Sequence, residues 1–174
     1  MNTPNKLTMI RIALIPVFLA ILYLGFKYSN IAAMAVFIIA SLTDIADGYI
    51  ARKNSQVTDF GKFMDPIADK ILVVAAMLWF VDQSLMPAWV LLIVIVREFL
   101  VTALRLVAVE KGRVIAAELS GKVKTAVTMF SIIVMFLPLK DWMILVCIVA
   151  ITVTTIASGV EYFIKNKDCL SWKE

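Results

Sequence analysis

Histidine is absent from the 174-residue sequence. That excludes Ser-His and Cys-His nucleophilic catalysis, imidazole general acid–base chemistry and His-ligated zinc. Cysteine is scarce. Cys147 lies inside an apolar run and Cys169 near the end of the chain, so neither a disulfide framework nor a thiolate metal site is expected. Any metal must therefore be held by oxygen, which suits Mg²⁺, Mn²⁺ or Ca²⁺. Charge is also sparse, at 17% of residues, against ~25% in an average soluble domain. No low-complexity tract or internal repeat is visible, which argues for a single domain over 1–174.

Apolar side chains are abundant. They make up 62% of the chain, against ~45–50% in soluble domains, and the mean hydropathy is +0.94. Because ~20 apolar residues span a bilayer, six spans are predicted at about 7–26, 31–52, 61–81, 87–109, 120–138 and 142–164. The expected fold is all-α, a polytopic membrane protein with a six-helix bundle. The first run lacks an obvious small-residue cleavage site and reads as a span, not a cleavable signal.

Basic residues mark the orientation. Lys6, Arg11, Arg52, Lys53, Lys62, Lys111, Arg113, Lys122, Lys124, Lys165, Lys167 and Lys173 collect at one set of helix ends, and only Lys27 and Lys140 at the other. The positive-inside rule then places both termini in the cytoplasm, at the cell membrane. Trp79, Trp89 and Trp142 fall at the opposite ends, as an interfacial belt requires.

Eight charges fall within or at the edges of these spans: Asp44, Asp47, Asp65, Asp69, Lys70, Arg97, Glu98 and Arg105. Each such charge costs ~2.5–3.5 kcal/mol at a helix centre. They predict a polar cavity, open to the cytoplasmic side and retained for function. At 100° per residue, Asp44, Asp47, Gly48 and Ala51 lie near about 0°, 300°, 40° and 340°, one helix face. Gly61, Asp65 and Asp69 follow at four-residue steps on the next helix. A short connection makes the pair an antiparallel hairpin, which would bring four carboxylates to one depth. Crowded carboxylates in a low dielectric call for cations, and two divalent ions ~3.5–4 Å apart would serve. Pro66 is expected to fix the start of its helix, with a kink as the alternative.

From Asp44 to Asp69 the chain reads DIADGYIARKNSQVTDFGKFMDPIAD. The pattern D-x-x-D-G-x-x-A-R, eight residues, then G-x-x-x-D-x-x-x-D resembles the signature of the CDP-alcohol phosphatidyltransferase family. That resemblance implies Asp44, Asp47, Asp65 and Asp69 as ligands of two Mg²⁺ or Mn²⁺ ions. It makes Asp69 also the general base for the acceptor alcohol. Gly48, Ala51, Arg52 and Gly61 would line the site of the CDP-activated lipid. Gly48 and Ala51 equally suit close helix packing. The resemblance also implies a homodimer.

Residues 95–125 and the start of the chain point to one branch. Arg97–Glu98–Phe99, VTALR at 101–105, GRVIAA at 112–117 and GKVKT at 121–125 are similar to the phosphatidylglycerophosphate synthase branch. So is PNKLTMIR at 4–11, which carries Asn5 and Thr8 toward the CDP-lipid site, although Thr8 also suits a helix N-cap. The implied substrates are CDP-diacylglycerol and sn-glycerol 3-phosphate, the implied surroundings membrane lipid, and no nucleic acid is involved. Arg97, Arg105, Arg113, Lys122 and Lys124 form a cationic set fit for an acceptor phosphate. For Arg113, Lys122 and Lys124 the alternative is anchoring to anionic lipid; for Arg97 and Arg105 it is an internal salt bridge with Glu98.

Two rival readings stand beside this one. The same chemistry could use another alcohol, such as inositol phosphate or serine. A cation transporter could also carry intramembrane aspartates, but it would expect a repeat and a midplane site. Asp44→Asn separates the two classes, since it would abolish either CMP release or ion flux.

Overall fold

The computed structural model describes residues 3–53, 59–113, 115 and 118–167, with positions 3–8, 44–53, 59–66 and 69 described by their backbone alone. Six helices occur among them: α1 Thr3–Leu24, α2 Ser29–Lys53, α3 Asp59–Asp82, α4 Ala88–Glu110, α5 Leu119–Met135 and α6 Asp141–Lys165. Every predicted span has its helix, with ends shifted by a few residues. α1 starts at Thr3 instead of 7, and α5 stops at Met135 instead of 138.

Local chemistry explains several boundaries. Pro87 precedes α4 with φ −70° and ψ 141°, the extended backbone from which a helix can start. At the other end, Gly112 adopts φ +69°. Its N–H reaches the Val109 carbonyl at 2.9 Å, and the Arg113 N–H reaches Ala108 at 2.8 Å. This is a Schellman closure, and glycine takes its left-handed position without a Cβ penalty. Gly25, with φ +62°, follows α1 in the same conformation. Pro66 departs from expectation. α3 begins at Asp59, so Pro66 falls beyond the first turn. The free donors of a helix start extend over four residues only, and Pro66 lies outside them.

The chain divides into two compact units. One comprises Met1–Trp79 with Phe136–Pro138, the other Phe80–Met135 with Leu139–Glu174. In the first, α1 packs on α2 through an aromatic trio. Phe18 meets Phe136 edge-on at 6.0 Å and Phe37 at 6.2 Å. Ile15 and Leu22 of α1 and Ala33 and Ala40 of α2 are buried as well. Arg11, counted above among the basic helix ends, is only 1% exposed. In the second unit, α4 and α5 both pack on α6. Val101, Leu104 and Ala108 of α4 close on Tyr162 of α6.

The distribution of polarity is inverted relative to a water-soluble bundle. α5 buries Lys124, Thr128 and Ser131, and α6 buries Thr155, Ser158 and Tyr162. Phe130, Val146, Val149, Val153, Val160 and Ile164 are exposed. Water would favour the reverse, whereas hydrocarbon favours apolar outside and hydrogen-bonding groups between helices. α6 is long and apolar enough to cross a bilayer by length and composition, the one helix that meets this measure among the described residues. α5 has 17 residues, and α4 carries Arg97, Glu98 and Arg105.

Candidate active site

The helices deliver the acidic residues in two closely spaced pairs. Asp44 and Asp47 lie in the C-terminal half of α2, three residues apart, and the helix continues through Gly48, Ala51 and Arg52. Asp65 and Asp69 lie in α3, four residues apart, with Gly61 one turn before Asp65. Each pair is thus about one helical turn apart on an unbroken helix, which places its members on one face. Asn5 and Thr8 lie in α1. The side chains of all these residues lie outside the described residues, as does the expected meeting of the two pairs. As a donor set, four carboxylates and no imidazole or thiolate match hard divalent cations.

The basic residues separate into distinct environments. Arg97 Nη1 donates to Glu98 Oε1 at 2.9 Å, and Lys124 Nζ donates to the same oxygen at 2.7 Å. The side chains of Arg97 and Lys124 are only 12% and 6% exposed, and that of Glu98 is 23% exposed. The three come from α4 and α5, and one carboxylate braces two cations. Lys124 is therefore an interior residue and not a lipid anchor. The salt-bridge alternative for Arg97 is realised, while its Nε–H is buried with no hydrogen-bond partner among the described residues.

Arg105 takes a different partner. Its Nε donates to the Tyr162 hydroxyl at 2.8 Å, and its guanidinium lies 5.5 Å from that ring's centroid. Tyr162 is 1% exposed, so its hydroxyl is a fixed acceptor for Arg105, which is itself exposed. Tyr162→Phe should lower stability by only about 0.5–1.5 kcal/mol, because Arg105 is exposed and water can replace the lost acceptor. Thermal unfolding in detergent measures this, with Tyr23→Phe as the control for an exposed tyrosine.

Arg113 and Lys122 are exposed. The structure brings together Arg97 and Lys124, and sends Arg105 to Tyr162. It also shows bonds between helices that sequence reading did not give. Glu98 as a shared brace was accessible from its position beside Arg97, but its bond to Lys124, 26 residues later, was not. Near the C-terminus, Lys165 Nζ lies 2.9 Å from Glu118 and 2.6 Å from Glu161. These groups are substantially exposed, so water and salt screen the pairs and they add little to stability.

Comparison with known proteins bears on what such a chain does. Residues 1–156 match the family model described as CDP-alcohol phosphatidyltransferase. The chain is 41% identical to the CDP-diacylglycerol–glycerol-3-phosphate 3-phosphatidyltransferase of Bacillus subtilis (strain 168), over 97% of each chain. It is 37% identical to a probable phosphatidylglycerophosphate synthase of Mycobacterium tuberculosis (strain H37Rv), over 92% of this chain and 79% of that one. A Rickettsia bellii protein named CDP-diacylglycerol–glycerol-3-phosphate 3-phosphatidyltransferase is 41% identical, over 80% of this chain and 77% of its own.

Proposed function

Given that this chain belongs to the CDP-alcohol phosphatidyltransferase family, we propose that it transfers the phosphatidyl group of CDP-diacylglycerol to sn-glycerol 3-phosphate. The products are phosphatidylglycerophosphate and CMP. The observation that carries this reading is the 41% identity, over 97% of both chains, to a relative named for that reaction. The family is embedded in membranes and generally depends on a divalent cation. A six-span topology, with both termini and a polar cavity on the cytoplasmic side, is supported by the grouping of basic residues. A homodimer rests on the family resemblance.

Asp44, Asp47, Asp65 and Asp69 would hold two ions, Mg²⁺ or Mn²⁺. When bound, such ions neutralise the diphosphate and favour departure of CMP. A primary hydroxyl oxygen of glycerol 3-phosphate forms a bond to the lipid-bearing phosphorus, and the phosphoanhydride bond to CMP breaks. Asp69 accepts the proton of that hydroxyl, so charge and atoms balance without a covalent enzyme intermediate. Gly48 and Gly61 lack a Cβ and let the nucleotide approach the α2 and α3 backbones. Ala51 keeps the same wall low, and Arg52 offers a charge to the diphosphate. Asn5 and Thr8 would border the nucleotide from α1.

Arg97 and Lys124 are the cations best suited to the acceptor phosphate. They are adjacent, partly desolvated and held by one carboxylate. Arg105, Arg113 and Lys122 would add attraction at the mouth of the site. Catalysis would then be mainly positioning and electrostatic stabilisation.

The test is CMP release by purified protein in detergent with CDP-diacylglycerol and Mg²⁺ or Mn²⁺. Glycerol 3-phosphate, inositol phosphate, inositol and serine are offered singly. Release only with glycerol 3-phosphate is expected. Release with another of these alcohols would keep the chemistry and overturn the acceptor assignment.

A further inference from the structure

We infer that Gly121 and Gly159 are positioning residues for Arg97, forming a slot that holds its guanidinium ready for the acceptor phosphate. This rests on the reading of Arg97 as a phosphate ligand. Gly121 lies in α5 and Gly159 in α6, both in ordinary helical backbone. Neither needs glycine for its conformation, and glycine is unfavourable inside a helix relative to alanine. Something other than backbone geometry therefore accounts for it at these two positions.

The space above each glycine identifies that cause. A Cβ on Gly159 would lie 3.3 Å from Arg97 Cγ, and one on Gly121 would lie 3.4 Å from Arg97 Nη2. Among the described residues nothing else comes within 4 Å of either position beyond the glycine's own surroundings in its helix. Close packing between helices, the usual use of small residues in membranes, would put a neighbouring backbone there. Here the volume is filled by one side chain, gripped at its stem by α6 and at its tip by α5. Glu98 fixes Nη1 from a third direction, and Lys124 fixes Glu98.

A pinned arginine has already lost its rotamer freedom before ligand arrives, so less entropy is lost on binding. Its planar fork also keeps donors available. The Nε–H is buried with no hydrogen-bond partner among the described residues, a cost that a ligand oxygen would relieve. The slot thus decides how well the acceptor is held, while leaving the CDP-lipid site untouched.

The experiment is a double-mutant cycle on the full chain in detergent, reading KM for glycerol 3-phosphate, KM for CDP-diacylglycerol and kcat. Gly159→Val should raise KM for glycerol 3-phosphate about tenfold, since displacing a positioned group by ~1 Å costs up to 10²-fold. KM for CDP-diacylglycerol should stay within about twofold, the contrast that separates lost positioning from general damage. Gly159→Ala and Gly121→Ala, which require only a few tenths of an ångström of adjustment, should shift the same constant about two- to threefold. They carry the test if the valine variant does not fold. In an Arg97→Ala background all of these shifts should vanish, because residues that act through one group are not additive. If Arg97→Ala leaves KM for glycerol 3-phosphate unchanged, the phosphate-ligand reading fails. If Arg97→Ala raises it but the glycine variants do not, or act additively with Arg97→Ala, the slot is overturned and that reading stands.

Discussion

Asp69→Asn is expected to lower kcat for CMP release by about 10²–10⁴-fold, the contribution of a positioned general base. Asparagine nearly preserves the shape of aspartate, so packing in α3 should be little disturbed. Its amide, however, cannot accept the proton that leaves the acceptor hydroxyl. Asp69 would also be one of four carboxylates holding cations, so part of any loss could reflect weaker metal binding. Raising Mg²⁺ or Mn²⁺ separates the two. Asp44→Asn, at a position assigned to metal binding alone, should recover appreciably as the cation concentration rises. Asp69→Asn should not recover at saturating cation. Full recovery of Asp69→Asn would remove it from the proton-transfer role.

The second large effect is expected from chelation. Treatment with EDTA should cut CMP release by at least about a hundredfold, because several kcal/mol of charge stabilisation on the diphosphate is withdrawn. Added Mg²⁺ or Mn²⁺ should restore it. The argument starts from the absence of histidine and the placement of four aspartates in two apolar helices. Ionised carboxylates gathered in low dielectric repel one another, and ions relieve that repulsion. Chelation should therefore also lower the thermal stability of the wild-type protein. In a variant with Asp44, Asp47, Asp65 and Asp69 all changed to Asn, EDTA should have no such effect. Activity that survives EDTA unchanged would sink the metal assignment.

The two halves of the proposed site were legible to different degrees. The aspartates announce themselves because charge is expensive in an apolar run, and because their spacings match the helical repeat. Nothing beyond α2 and α3 is needed to recognise them. The acceptor cations are harder to read. Arg97, Arg105 and Lys124 were visible as charges, and Glu98 as a partner for Arg97, but the bonds between helices were not. Arg105 is held by Tyr162, 57 residues away, and α6 had offered no sign of a polar role there. Tyr162 was one more residue in an apolar segment. Gly159 was likewise unmarked, since a single glycine in a helix pattern has several uses.

Sequence alone determined the membrane character, the six helical segments and the acidic motif. These depend on composition and local periodicity, which a helix expresses with little help from its neighbours. The end of α4 is equally local, because Gly112 can take the left-handed conformation its closure requires. Only the tertiary structure decided that Glu98 is shared by Arg97 and Lys124, and that Arg97 lies against two glycines from different helices. Those contacts depend on how α4, α5 and α6 are rotated and translated against one another. That arrangement follows from the packing of whole helix faces, so no single segment carries it.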